Sequence, residues 1–364
     1  MIINKVAIDD NILIKDKIST AGSKILYNFV PPFNSAVFDK LKEAGAQDIK
    51  QTKPNEFGIS LTDGFGVVES VSKGGAEVGI GCDINGSIRK EASKNGIYFI
   101  KPTYGTVSRF GLVSTSPAFE QIGVACKDVE TGFETLAAIA GYDGRDGAIA
   151  NVEKYSYSVR EEDLKGLKIG VLSSGEKNID RIVDTIKALG AEVETVDFPL
   201  IDYVPAVAYI ISAAETSNSI SRFDGIKFGY RPEEYSSFDD IYIKSRTECF
   251  TFETKLVTLI GLLMLTKEKY GYFDKALKVR RLIKEAADLF FERYDAMITP
   301  VTPSNDNYDD FFSSYDNLKY ISLPNLTGSP ALAIPGGFQF IAKTAGENTL
   351  LRIGKCLCGK GEVL

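Results

Sequence analysis

Residues Gly81–Arg89 read Gly-Cys-Asp-Ile-Asn-Gly-Ser-Ile-Arg and follow a short apolar run, Val78–Ile80. Asn-Gly accepts positive φ, so the backbone can turn sharply there. The successive amides of Ile84, Asn85, Gly86 and Ser87 can then point into one concavity, a nest that stabilises an oxyanion. Ser87 at its lip stands where an acyl-transfer nucleophile would stand. The alternative reading of the same residues is a strand, a tight turn and a solvent-facing serine.

The chain contains no histidine. Ser-His-Asp and Cys-His catalysis are therefore excluded, together with imidazole metal sites. A serine nucleophile must hand its proton to lysine, a second serine, a carboxylate or water. The five cysteines, Cys82, Cys126, Cys249, Cys356 and Cys358, are scattered and odd in number, which reads as reduced thiols. Cys356 and Cys358 alone are too few ligands for a metal site, and Asp306, Asp309 and Asp310 read as a solvated acidic loop. No metal and no cofactor is expected. Cys82 reads as a small buried residue beside Asp83.

A net charge of −7 over 364 residues gives no general affinity for nucleic acid or anionic lipid. The longest apolar window, Leu256–Leu265, is too short to span a bilayer, and the N-terminus lacks a signal-peptide layout. The expectation is a cytoplasmic protein with no membrane or direct nucleic-acid partner.

The elements that must carry Ser87 alternate between strand and helix. Strands are expected at Val6–Ile14, Ile97–Ile100, Leu167–Leu172, Glu192–Val196, Met297–Thr299, Leu332–Ile334 and Phe338–Ile341. Helices are expected at Ala36–Ala44 behind a Ser35 cap, and at Val67–Lys73, Val129–Ala140, Asp180–Leu189, Val204–Ser219, Thr254–Tyr270 and Phe273–Tyr294. Phe57–Gly66, Lys101–Gly111 and Ser304–Asp316 read as loops. This pattern gives α/β layers around one sheet, with residues 1–364 as one domain.

With these residues in view, the chain resembles the amidase-signature family, and within it the A subunits of tRNA-dependent Glu/Asp amidotransferases. The blocks that carry the likeness are spread along the chain: Thr20–Leu26, Phe29–Pro32, Asp83–Arg89, Lys101–Gly111, Gln121–Gly123, Ala138–Asp146, Ser212–Arg231, Lys275–Lys284 and Leu323–Gly337. The resemblance implies a mixed central sheet between helical layers, here without the family's N-terminal helices. It implies glutamine hydrolysis through an acyl-enzyme, ammonia being passed to a partner subunit. The family's relay is Ser-Ser-Lys, in agreement with the absence of histidine.

The chain departs from that relay. Where the family strand reads Ala-Ile-Lys-Asp-Asn-Ile, Ala7–Ile12 reads Ala-Ile-Asp-Asp-Asn-Ile, so Asp9 occupies the lysine position. The Gly-Ser-Ser-Gly-Gly-Ser loop that supplies the bridging serine is missing, and ungapped alignment places Asp63 there. Ser87 remains as a vestigial nucleophile. Arg280, in Lys-Val-Arg, matches the substrate-carboxylate arginine, although a basic helix face paired with acids is the equal alternative. Gly346 replaces the aspartate that would hold the substrate amino group. Arg222 and Asp224 read as a turn salt bridge or a binding loop, and Tyr104 and Arg109 as supports beside the nest.

Loss of a positioned base removes about two to four powers of ten in rate. A carboxylate at the lysine position also reverses a charge that should favour the oxyanion. The expected function is a catalytically impaired amidase-signature protein with a binding or assembly role, its partners resembling amidotransferase subunits. The alternative is an active amidase or glutamine amidotransferase component that uses Ser87 with a substitute base.

Overall fold

A computed structural model describes residues 4–59, 64–172, 179–301, 315 and 318–358. Ten strands form one mixed sheet in the order β2-β1-β3-β5-β4-β9-β10-β8-β6-β7. They are β1 (Lys5–Asp9), β2 (Asp48–Thr52), β3 (Val78–Asp83), β4 (Tyr98–Lys101), β5 (Gln121–Cys126), β6 (Lys168–Leu172), β7 (Glu192–Val196), β8 (Ala296–Pro300), β9 (Ala331–Ile334) and β10 (Phe338–Ala342). The pairs β1/β2, β1/β3, β6/β7 and β6/β8 are parallel. The central pairs β3/β5, β5/β4, β4/β9, β9/β10 and β10/β8 are antiparallel.

Helices cover both faces. They are α1 (Ala36–Glu43), α2 (Gly66–Ser72), α3 (Ser87–Lys94), α4 (Val129–Ile139), α5 (Ile179–Ala188), α6 (Val204–Ile220), α7 (Phe238–Cys249), α8 (Phe252–Leu265), α9 (Tyr270–Phe291), α10 (Leu318–Ile321), α11 (Leu323–Thr327) and α12 (Glu347–Leu357). Val6, Ile8, Val78, Ile80 and Ile100 pack with α1, α4, α5 and α12 on one side. Ala7, Phe99 and Ala125 face α2 and α3 on the other. Leu172, Met297 and Ile341 continue that second layer against α6 and α9. Two-sided burial is why the strands read as apolar runs rather than alternating ones.

The expected element types hold, and several boundaries move. The first strand stops at Asp9 instead of Ile14, because Ile12 N turns back to Asp9 O and Asp10 N donates to Thr52 O. Ser35 caps α1 through Phe38 N, as its position predicts. The helix expected at Thr254–Tyr270 ends at Leu265, where Thr266 becomes extended, and α9 starts afresh at Tyr270. Strands β2 and β5 and helices α3, α7, α10, α11 and α12 are additions to the expected set. β2 is a half-buried polar edge, Asp-Ile-Lys-Gln-Thr, with no apolar signal to detect. The acidic loop expected at Ser304–Asp316 lies, apart from Tyr315, outside the described residues.

Glu56 ties the start of the chain to the outer helices. Its Oε1 accepts from Ser23 Oγ at 2.6 Å, and its Oε2 accepts from the Thr251 amide at 2.8 Å and the Thr251 hydroxyl at 2.7 Å. Helix α8 meets α6 at Gly261, where an added Cβ would stand 2.0 Å from Ala213 O. Gly261→Val is therefore expected to push the two helices apart and destabilise by about 1–3 kcal/mol. Its urea midpoint should fall at unchanged m-value, and an unchanged midpoint would show that the crossing is loose.

Candidate functional site

The site begins where β3 hands over to α3. In β3 the residues facing α3 include Gly81, whose added Cβ would lie 2.6 Å from Ile88 Cδ1 and 3.1 Å from Asp9 Oδ2. A side chain at that position would hold the helix off the sheet, so glycine lets α3 and Asp9 approach. Gly86 is the residue before the helix and has φ +91°; its added Cβ would meet Ile321 Cγ1 at 2.4 Å. Glycine is needed there on both counts. Ser87 becomes the first helical residue and is buried.

The Gly86 amide donates to Asp83 Oδ1 at 2.9 Å, which removes it from the expected nest. Among the described residues, the amides of Ile84, Asn85 and Ser87 have no acceptor. The concavity thus holds three of the four expected donors, at a helix N-terminus that favours negative charge. Asn85 Nδ2 lies 3.4 Å from Ser212 Oγ, and Asn85 Oδ1 is buried without a partner among the described residues. Ser87 Oγ makes no hydrogen bond to any described residue.

Beneath Ser87 lies a buried ionic network that no local motif announces. Arg89 and Asp83 are both fully buried, with Nε donating to Oδ2 at 2.5 Å. Arg89 also donates to Ile321 O at 2.7 Å, to Asn325 Oδ1 and to Gln339 Oε1. Asn325 Nδ2 returns to Asp83 Oδ1 at 2.9 Å, and Gln339 Nε2 donates to Thr299 Oγ1 at 3.0 Å. Ser322 Oγ donates to Asn85 O at 2.9 Å. Every arm of the guanidinium is matched, the condition under which a buried ion pair is tolerated. Asp83 and Arg89 sit in one block of the resemblance and Asn325 in another, so the sequence carries both halves of this signal without showing that they meet.

Asp9 ends β1 on the face shared with α3. Its Oδ1 accepts from Thr52 Oγ1 at 2.8 Å, and its Oδ2 is buried with no hydrogen-bond partner among the described residues. Burial raises its pKa from 3.8 to about 8, with the carboxylates of Asp10 and Glu91 adding to the rise and the Thr52 hydrogen bond opposing it. Asp9 is thus a neutral acid at neutral pH. Asp63 lies outside the described residues. The chain just after it is anchored to α3, because Glu91 Oε2 accepts from Gly64 N at 2.9 Å and Phe65 N at 3.0 Å. A buried ammonium does occur nearby at Lys101, which burial lowers to a pKa of about 7, with Arg89 acting in the same sense. Its Nζ donates to Pro102 O at 3.0 Å and not to Ser87.

Arg280 is partly buried and held by protein groups. Its Nε donates to Leu326 O at 2.8 Å and its Nη2 to Ala118 O at 3.0 Å, with the guanidinium 4.8 Å from the Phe119 ring centre. Burial lowers its pKa, and the charge of Glu215 opposes this. Glu215 accepts from Ser116 Oγ at 2.9 Å and Ala118 N at 3.0 Å, and burial raises its pKa. Gly346 precedes α12, and a Cβ added there would meet Lys343 O at 2.7 Å and Ala342 Cβ at 2.9 Å.

The expected Arg222–Asp224 salt bridge does not form among the described residues. Arg222 Nη2 donates to Ser114 O at 2.6 Å, while Asp224 Oδ1 accepts from the Ile226 amide at 2.8 Å. Tyr104 and Arg109 do brace one loop. Both donate to Pro117 O, at 2.9 and 2.7 Å, and Arg109 forks onto Asp146. Cys82 is buried, and burial raises its thiol pKa, which disfavours the thiolate that a nucleophile needs. Among the described residues no group of three or more acids or cysteines could hold a metal, and no helix is long and apolar enough to cross a membrane.

Residues 66–351 match the profile of the Amidase family. The A subunit of glutamyl-tRNA(Gln) amidotransferase from Carboxydothermus hydrogenoformans is 36% identical over 393 residues, covering 94% of this chain and 81% of that protein. Its counterpart of the same name from Heliobacterium modesticaldum is 36% identical, covering 95% of this chain and 80% of that protein. Among solved structures, the A subunit of glutamyl-tRNA(Gln) amidotransferase from Thermotoga maritima superposes with a TM-score of 0.76 at 27% identity. It aligns with 97% of this chain and 82% of its own.

Proposed function

Since the chain belongs to the amidase family, we propose that it is a relative of the amidotransferase A subunits whose acyl-transfer site is silenced and whose role is binding or assembly. The observation that carries this reading is Asp9. A buried, neutral carboxyl stands where the family relay calls for a lysine, and Ser87 Oγ has no proton acceptor among the described residues. A serine hydroxyl without a positioned base is a poor nucleophile. The second substitution, Asp63 for the bridging serine, rests on the sequence. The remaining nest amides, the Asp83–Arg89 network and Arg280 support retention of the scaffold without its relay.

The relatives are named as components of an amidotransferase, which supports partners of that kind, a setting in translation and a cytoplasmic location. We read residues 1–364 as one domain. Purified protein should show no fluorophosphonate labelling of Ser87 between pH 6 and 9 and no glutaminase turnover. Turnover that disappears in Ser87→Ala would overturn the reading.

The free amides of Ile84, Asn85 and Ser87 favour a second reading, an amidase that still acylates Ser87. In that case ionised Asp9 takes the Ser87 proton as Oγ attacks. Labelling would then rise as pH passes about 8, the pKa of Asp9.

A further inference from the structure

The segment that follows α6 closes into a tight ring. Asp224 Oδ1 accepts from the amides of Ile226 and Lys227 at 2.8 and 3.3 Å, which fixes the entrance. Arg231 folds back and fixes the exit, its Nε donating to Gly225 O at 2.9 Å and its Nη2 to Ile226 O at 3.0 Å. Gly225 and Gly229 have φ of +72° and +83°. A Cβ would stand 2.0 Å from Ser245 Oγ at the first and 2.1 Å from Ile25 O at the second, so both positions require glycine. Tyr230 N donates to Ile25 O at 2.8 Å and pins the ring to the start of the chain.

A hollow of about 390 Å³ lies here, lined by residues 28–30, 225–229 and 231. That volume falls in the range of small-molecule sites. Among its lining residues, Asn28, Val30, Phe228 and Gly229 have amides without an acceptor among the described residues. Lys227 makes no hydrogen bond or ion pair among the described residues, and Arg231 keeps Nη1 unbonded. These two cations are the charged residues of the lining. The acids nearest in the chain, Asp224, Glu233 and Glu234, stand outside it. Phe29 and Phe228 form an aromatic wall, their ring centres 5.9 Å apart, and Phe228 is 37% exposed.

Unpaired amides, a lysine and a guanidinium already held by its own backbone are the donors that anions select, and a rigid frame spares the ligand the cost of ordering them. Donors spread over two segments suit the three outer oxygens of a phosphate. The aromatic wall suits a flat ring beside it. We propose that this hollow binds a small phosphomonoester with a planar body, the class to which mononucleotides belong. It shares no residue with the Ser87 site, so its fate and that of the silenced relay are decided separately.

Isothermal titration of the full chain with inorganic phosphate, adenosine monophosphate and adenosine tests this. Adenosine monophosphate should saturate the protein with a Kd of roughly 0.1–1 mM, phosphate should bind severalfold more weakly, and adenosine should show no saturation in that range. Lys227→Gln should weaken both phosphates by about threefold to tenfold at an unchanged melting temperature. Phe228→Ala should bring adenosine monophosphate down to the affinity of phosphate. No saturable binding of either phosphate up to 10 mM overturns the proposal. So does binding that neither Lys227→Gln nor Arg231→Gln alters, or adenosine binding as tightly as its monophosphate. Equal affinity for phosphate and adenosine monophosphate in the native chain overturns the planar body. Should Arg231→Gln loosen the ring, Lys227→Gln still decides the matter.

Discussion

Arg89→Met is expected to cost about 3–5 kcal/mol, enough to lower the melting temperature by roughly 4–7 °C or to prevent folding outright. The reason is the charge left behind. Asp83 is fully buried, and without the guanidinium its Oδ2 keeps no cationic partner. Asn325, Gln339 and Ile321 O lose their donor in the same step. Asp83→Asn in the Arg89→Met background should recover part of the loss, since an amide at position 83 still offers an oxygen to Gly86 N. The cycle of the two single variants and the double variant, read by chemical denaturation, should give a coupling of several kcal/mol. A near-neutral Arg89→Met would show that the network is not a structural keystone.

The second large effect is a pH dependence carried by Asp9. In the unfolded chain its carboxyl loses its proton near pH 4; in the folded chain it holds it to about pH 8. Between those values the native state binds the extra proton, so unfolding free energy falls as pH rises. The contribution is fully present below pH 4 and is lost by the time pH passes 8, a difference of roughly 5 kcal/mol. Asp9→Asn keeps an oxygen for Thr52 Oγ1 and cannot ionise. The variant should therefore match the parent near pH 3–4 and exceed it increasingly up to pH 8.5. Melting temperatures of the two proteins measured across that range provide the check, since all other titrations are common to both. Parallel profiles would mean that Asp9 is ionised in the fold.

The same residue shows where sequence reading succeeds and where it stops. Asp9 and Ser87 are legible in the linear string, because motif position and residue type both survive there. Their environments are not, since burial depends on what packs across Gly81 and Val67 from other elements. The expected four-amide nest follows from Asn-Gly alone, and turn propensity says nothing of the Asp83 side chain that takes one of its members. Arg89 needs Gln339, 250 positions away, to acquire its meaning. Strand β2 is invisible because an edge with half-buried polar side chains has no apolar period, while β6, α5 and β7 are legible because each has one.

The margins of the sheet bear on how copies of the molecule meet. Its outermost strands, β2 and β7, carry Asp48 and Lys50 on one side and Glu192 and Glu194 on the other, and each spans only five residues. Short borders studded with charge resist the end-to-end strand addition that turns open sheets into fibrils. Growth along the hydrogen-bonding direction is thereby discouraged at both limits. Self-association is left to closed, countable assemblies, and prolonged storage at high concentration should yield discrete species in place of thioflavin-positive polymer.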